Sequence, residues 1–127
     1  MAQGIVRKGY EITLSIDLLS QNQRHPVEAV MDTGFNGYLT LPADTVQKLE
    51  LKFAGNRRAI LGDGRMVVFD VYLANVLWHG QGREVLAFQS EGGALLGMAL
   101  LAGSRVTFDA VENGAMSVEP LPGSMQA

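Results

Sequence analysis

Val27-Glu28-Ala29-Val30-Met31-Asp32-Thr33-Gly34-Phe35-Asn36-Gly37-Tyr38-Leu39-Thr40-Leu41-Pro42 is the stretch that decides the fold. Residues 27–31 form a short apolar run with Glu28 as its only charge, the pattern of a strand. The run passes directly into 32–37, where Gly34 and Gly37 allow backbone geometry that other residues resist. Residues 38–41 return to strand. Asp32 therefore leaves a strand end with its carboxylate held in a tight loop. The N–H of Gly34 is well placed to bond that carboxylate, and the Thr33 hydroxyl can donate to a neighbouring backbone group. By itself the triplet is weak evidence. Asp-Thr-Gly arises by chance in roughly 2–3% of chains this long, and a plain Asx-type turn explains it equally well, so its surroundings must decide.

Upstream, residues 10–19 alternate, with Ile12, Leu14 and Ile16 on one face and Glu11, Thr13, Ser15 and Asp17 on the other. Residues 21–26 are polar, end in proline and read as a turn. Downstream, 42–51 is a helix candidate: Pro42 suits a first turn, Val46, Leu49 and Phe53 supply an apolar side, and Gly55 stops it. Residues 57–61 and 66–76 flank Gly62-Asp63-Gly64-Arg65, a hairpin signal. Residues 83–88 form another strand and 96–101 a second short helix. Residues 105–108 and 115–121 surround Glu112-Asn113-Gly114, a second hairpin. The 15 glycines fall mostly between apolar runs. Together these features predict an all-β single domain over 1–127 with one or two short helices, its core at about 10–121 and a loose tail at 122–127.

Composition narrows the function. The 127 residues carry 10 Lys+Arg against 13 Asp+Glu, a formal net charge of -3. That balance argues against a dedicated nucleic-acid binder. There is no cysteine, which excludes disulfides, catalytic thiols and Cys-ligated metals. At 47% apolar and 18% charged, the chain is globular rather than disordered. Residues 1–10 hold no apolar core of signal-peptide length. The apolar stretch 94–103 is too short to span a bilayer. The expectation is a cytoplasmic protein without membrane association.

Other chemistries lack their residues. His25 and His79 are far apart and show no zinc spacing, so neither a metal nor another cofactor is expected. Gly62-Asp63-Gly64 lacks the repeated acids of a calcium loop and the Gly-Lys-Ser/Thr ending of a phosphate loop. No serine sits in a G-x-S-x-G elbow.

Ala94-Leu95-Leu96-Gly97-Met98-Ala99-Leu100-Leu101 supplies the second half of the signal: an apolar-apolar-Gly triplet before a short helix. Asp-Thr-Gly at 32–34, a glycine-tipped hairpin at 62–65 and Leu-Leu-Gly at 95–97 follow one another in the order found in retropepsin-like aspartic proteases. The chain resembles that family over about 10–121, most of all its small bacterial and archaeal members. It departs from the family at three places. Phe35 stands where viral enzymes have Ala and cellular ones Ser. Asn36 stands where viral enzymes have Asp, and Met98 where their helix has Arg. That Asp and Arg pair in the viral pattern; both are missing here, so no orphan charge is buried.

The resemblance implies an acid-protease β-barrel with a flap hairpin, and an aspartic endopeptidase acting on peptide or protein substrates. Hydrolysis by carboxylates needs two of them. One is ionised and deprotonates water; the other is protonated and polarises the scissile carbonyl. This chain carries a single Asp-Thr-Gly, so a homodimer with a two-fold axis between two Asp32 carboxylates is the economical arrangement. On the family pattern Asp32, Thr33 and Gly34 are the catalytic loop. Phe35, Asn36 and the flap residues Leu61, Gly62, Asp63, Gly64 and Arg65 face substrate. Leu95, Leu96 and Gly97 support the loop from behind. Phe35 and Tyr38 are also candidates for apolar pocket walls. Two alternatives stand beside this reading: a catalytically weak domain of the same fold that serves binding or dimerisation, and an unrelated small β-barrel binding module.

Overall fold

The structure, a computed structural model, describes residues 2–60 and 64–123. The strands are β1 (Ala2–Val6), β2 (Ile12–Ser20), β3 (Gln23–Met31), β4 (Leu39–Pro42), β5 (Lys52–Ile60), β6 (Met66–Trp78), β7 (Gln81–Ser90), β8 (Ala94–Leu96), β9 (Ser104–Phe108) and β10 (Ala115–Pro120). Two short helices, α1 (Ala43–Lys48) and α2 (Met98–Leu101), interrupt them.

Six strands close on themselves in the order β6-β7-β4-β8-β3-β2, because β2 also pairs with β6 at Asp17↔Leu77 and Leu18↔Val76. Closure removes open edges among these six strands, while β5 and β9 lie at the two ends of the full strand order. The alternation at 10–19 becomes the inner face of β2, with Ile12, Leu14, Ile16 and Leu18 all buried. They meet Leu39, Leu41, Val76, Ala87, Leu96 and Leu100 in one apolar cluster. Each fully buried aliphatic side chain contributes about 1.5–3 kcal/mol. The ion pairs Arg7–Glu28 at 3.5 Å, Arg24–Asp17 at 4.0 Å and Arg105–Glu119 at 4.0 Å are largely exposed. Such pairs add about 1 kcal/mol or less each, so burial holds the barrel together.

Two buried hydroxyls are paired. Thr40 Oγ1 accepts from the Leu95 N–H at 3.0 Å and donates to the Gly93 carbonyl at 3.4 Å, which ties β4 to the start of β8. Thr13 Oγ1 accepts from Arg7 Nε at 3.1 Å.

Several local expectations need correction. The sequence reading starts its strands at residue 10, whereas β1 already pairs β2 and β10 and buries Val6. The turn expected over 21–26 narrows to Gln21 and Asn22, both at positive φ, and β3 begins at Gln23. Pro26 fits within β3, opposite Asp17. The first helix covers Ala43–Lys48 rather than 42–51, with Pro42 as its N-cap. Phe53 belongs to β5, where its ring meets Tyr72. Gly55, at φ +113, sits beside a register shift in β5 instead of ending a helix. Pairing of 52–60 with β6 overrides the apolar spacing that suggested a longer helix. The second helix begins at Met98, because Leu96 is held in β8 between β3 and β4. The hairpin around 112–114 forms as expected, with Asn113 at φ 63.

Candidate active site

β3 and β8 run parallel, pairing Val30↔Leu95 and Met31↔Leu96. Asp32 is the first residue past this pairing, and its own N–H still donates to the Leu96 carbonyl at 2.9 Å. The chain then turns: the Phe35 N–H donates to the Asp32 carbonyl at 3.1 Å, and the Gly34 N–H donates to Asp32 Oδ1 at 2.9 Å. One carboxylate oxygen is thus fixed by the loop, and the side chain remains partly open to solvent. Thr33 and Gly34 are exposed beside it.

The segment after β8 holds the loop from behind. The Gly97 N–H donates to the Tyr38 carbonyl at 2.9 Å, Met98 N–H to the Phe35 carbonyl at 2.8 Å, and Ala99 N–H to the Gly37 carbonyl at 3.1 Å. Gly97 is required by close approach. A Cβ there would strike the Gly37 carbonyl oxygen and lie 2.5 Å from Phe35 Cδ2. Leu96 and Leu100 are fully buried beneath the loop, whereas Leu95 is half-buried and borders the open side.

Asp32 and Thr33 line an open recess of about 430 Å³, together with Tyr10, Glu11, Ile12, Val30, Met31, Leu95 and Phe108. Tyr10 is 73% exposed and Phe108 45% exposed, large apolar side chains left unburied beside a carboxylate. The sequence reading missed both. Tyr10 lies at φ 64 in the turn before β2, and Phe108 ends β9; only the pairing of β1 with β2 and β10 brings them to Asp32. A wider groove of about 1000 Å³ lies between the start of α1 and β6. It is lined by Pro42, Val68, Phe69 and Glu91 among others and does not include Asp32. Hydrogen-bonding geometry at a carboxylate, rather than groove size, locates the candidate chemistry.

The Phe35 ring turns away from the recess. It meets Phe88 edge-on, with centroids 5.9 Å apart, and Phe88 stacks on Phe69 at 5.5 Å. Such pairs contribute about 0.5–1.5 kcal/mol each beyond burial. Asn36 is exposed. Tyr38 packs against the core, with the Arg83 guanidinium 5.3 Å over its ring. Leu61, Gly62 and Asp63 lie outside the described residues. Gly64 has φ +87, the left-handed conformation a tight turn demands, and Gly64 and Arg65 are exposed. Among the described residues no group of three or more His, Asp or Glu side chains could hold a metal ion. His79 is bound elsewhere, its Nε2 2.8 Å from Ser104 Oγ, and burial pushes its pKa down. No helix of the described residues is long and apolar enough to cross a membrane.

No family model matches the sequence, and no curated protein matches it. The fold does have a counterpart. The chain is similar to a retropepsin-like aspartic protease from Rickettsia conorii, seen in its crystal structure. The TM-score is 0.55 and the identity 16%, over 94% of this chain and 91% of that one. At that identity the likeness establishes the fold: a retropepsin-like barrel, which sets aside the unrelated small barrel.

Proposed function

We propose that this chain is an aspartic endopeptidase that works as a homodimer. The observation that carries the reading is the Asp32 carboxylate. Gly34 holds one of its oxygens, the loop leaves it open to solvent, and the loop is mounted on a barrel like that of an aspartic protease. One such loop per chain supplies half of a carboxylate pair. A second copy, related by a two-fold axis beside Asp32, supplies the other half. Tyr10, Met31, Leu95 and Phe108 around the recess offer apolar surface for that contact. β9 pairs only with β10 among the described residues, so its outer edge is open to a neighbouring strand.

In the dimer, one Asp32 carboxylate takes a proton from the attacking water. The protonated partner polarises the peptide carbonyl and then passes a proton to the departing amine. Gly34, exposed beside the carboxylate, is positioned to meet the backbone of an extended substrate, a mode in which main-chain hydrogen bonds supply most of the recognition. The β5–β6 hairpin is the cover that limits water at the reacting carbonyl.

The test is a mixed peptide library incubated with the wild-type protein and with Asp32→Asn, the products read by mass spectrometry. Cleavage by the wild type, reduced about 100-fold or more in the variant, is the expected outcome. The side-chain amide oxygen of Asn can still accept the Gly34 N–H, so the variant should keep its fold by circular dichroism. A wild-type protein that dimerises and binds peptides without cutting them would instead favour the binding domain of the same fold. Phe35, a bulky apolar residue in place of Ala or Ser, and Asn36, in place of the viral Asp, give that alternative its basis.

A further inference from the structure

The β5–β6 hairpin leaves the barrel at a defined point. β6 pairs with β7 from Trp78↔Gln81 back to Val71↔Phe88 and no further. Residues 66–70 of β6 continue with β5 alone, through Asn56↔Asp70, Arg57↔Phe69 and Arg58↔Val68. A two-stranded ribbon is marginal by itself, so its placement depends on what anchors its base. Val71 is fully buried. Two residues further out, Phe69 lies diagonally across from Phe88, within reach of an aromatic side chain, and the two rings stack at 25°. Phe88 then meets Phe35 at an interplanar angle of 65°. Phe35 in turn has little freedom. Its ring occupies a slot bounded by Gly37 and Gly97, where a Cβ on either glycine would come within 2.5 Å of a ring carbon. Its backbone is bonded to Asp32 and Met98.

We infer that Phe88 is a positioning residue that couples the ribbon to the Asp32 loop. The three rings form a continuous packed path from the base of the ribbon to a residue three positions past the carboxylate. Phe88 contacts both ends, whereas no ring contact joins Phe35 to Phe69 directly. A change in the angle of the ribbon therefore reaches the loop through Phe88. Packing against Gly37 and Gly97 limits how far the Phe35 ring can turn aside to absorb it. The inference deepens the protease reading, in which the ribbon closes over substrate. Its physical content, coupling between two segments, holds or fails without any cleavage.

Hydrogen exchange on the full-length protein tests it, read residue by residue by NMR. In Phe69→Leu, altered on the ribbon outside the closed barrel, exchange of the amides at 33–37 should change by roughly two-fold or more, the lower end of what packed networks carry. In Phe35→Leu the amides at 67–70 should change by a comparable factor, because coupling is reciprocal. In a Phe88→Leu background neither substitution should have a further effect at the distant segment. Phe53→Leu removes the ring pair with Tyr72 on the same hairpin and should leave 33–37 unchanged. Unchanged loop amides in Phe69→Leu would overturn the inference, as would equal effects with and without Phe88. If Phe35→Leu fails to fold, the Phe69→Leu arm alone decides. Loss of the coupling with peptide cleavage retained would refute only the coupling. Coupling without cleavage would refute only the protease reading.

Discussion

The Phe35 ring lies where the side chain of any residue but glycine at position 97 would have to go, 2.5 Å from the Cβ that Gly97 lacks. The same Cβ would strike the Gly37 carbonyl oxygen, which is backbone and cannot turn away. The phenylalanine after Asp-Thr-Gly and the glycine of Leu-Leu-Gly are therefore complementary parts of one contact. Gly97→Ala should destabilise the protein by about 2 kcal/mol or more, as overpacking does in well-packed interiors, measured by urea unfolding. A Gly97→Ala protein as stable as wild type would show that the loop can shift to make room.

Dimerisation should be visible in dilution. Activity per chain should fall at low concentration by mass action, and sedimentation should show monomers over the same range. Phe108, half exposed at the end of β9, offers a direct handle. Phe108→Asp should change the stability of the monomer by about 0.5 kcal/mol or less and still shift the population to monomer. Full activity in a species that sediments as a monomer would remove the two-carboxylate scheme.

Gly64 sits at φ +87, and among the described residues nothing lies within 4 Å of where its Cβ would stand. Sterics are no obstacle there; the backbone angle is. A β-branched residue in that conformation costs of order 1–3 kcal/mol. Because the ribbon is outside the closed barrel, Gly64→Val should impair peptide turnover far more than thermal unfolding. A parallel loss of both, or of neither, would argue against a covering role for the hairpin.

His79 should make the protein less stable in mild acid. Burial, aided by the positive charge of Arg83, lowers its pKa below the ordinary 6.5. The unfolded chain therefore binds a proton more readily than the folded one, and stability rises with pH across the interval between the two values. Acidification from pH 7.5 through about 6.5 and below should lower the melting temperature of the wild type more than that of His79→Gln. Identical slopes for the two proteins would show that His79 is not the group responsible.

The local geometry of the candidate site was legible along the chain because it is built from local chemistry. Asp32, the Gly34 N–H that bonds it and the turn at Phe35 lie within four residues, and short-range hydrogen bonds made the arrangement readable from residue types alone. The alternation of Ile12, Leu14 and Ile16 was equally plain, since a strand exposes its period directly. The helix at 42–51 was overextended because its apolar spacing at Leu49 and Phe53 suits a helix as well as a helix end followed by a strand.

By itself the sequence determined which residues could do chemistry: a single Asp-Thr-Gly, no cysteine and no metal-ligand spacing. Periodicity and glycine punctuation also marked most of the strands, but not β1, β8 or the start of β5. Only the tertiary structure decided what those residues stand against. Tyr10 and Phe108, nearly a hundred positions apart, border the Asp32 recess because β1 bridges β2 and β10. Phe88 meets both Phe69 and Phe35 because it lies at the last β6–β7 pair, Val71↔Phe88, one diagonal step from Phe69. Hydrogen bonding within a turn depends on neighbours in the chain, whereas packing depends on which strands a closed barrel sets side by side. That choice is made by the whole set of pairings together and is written in no single segment.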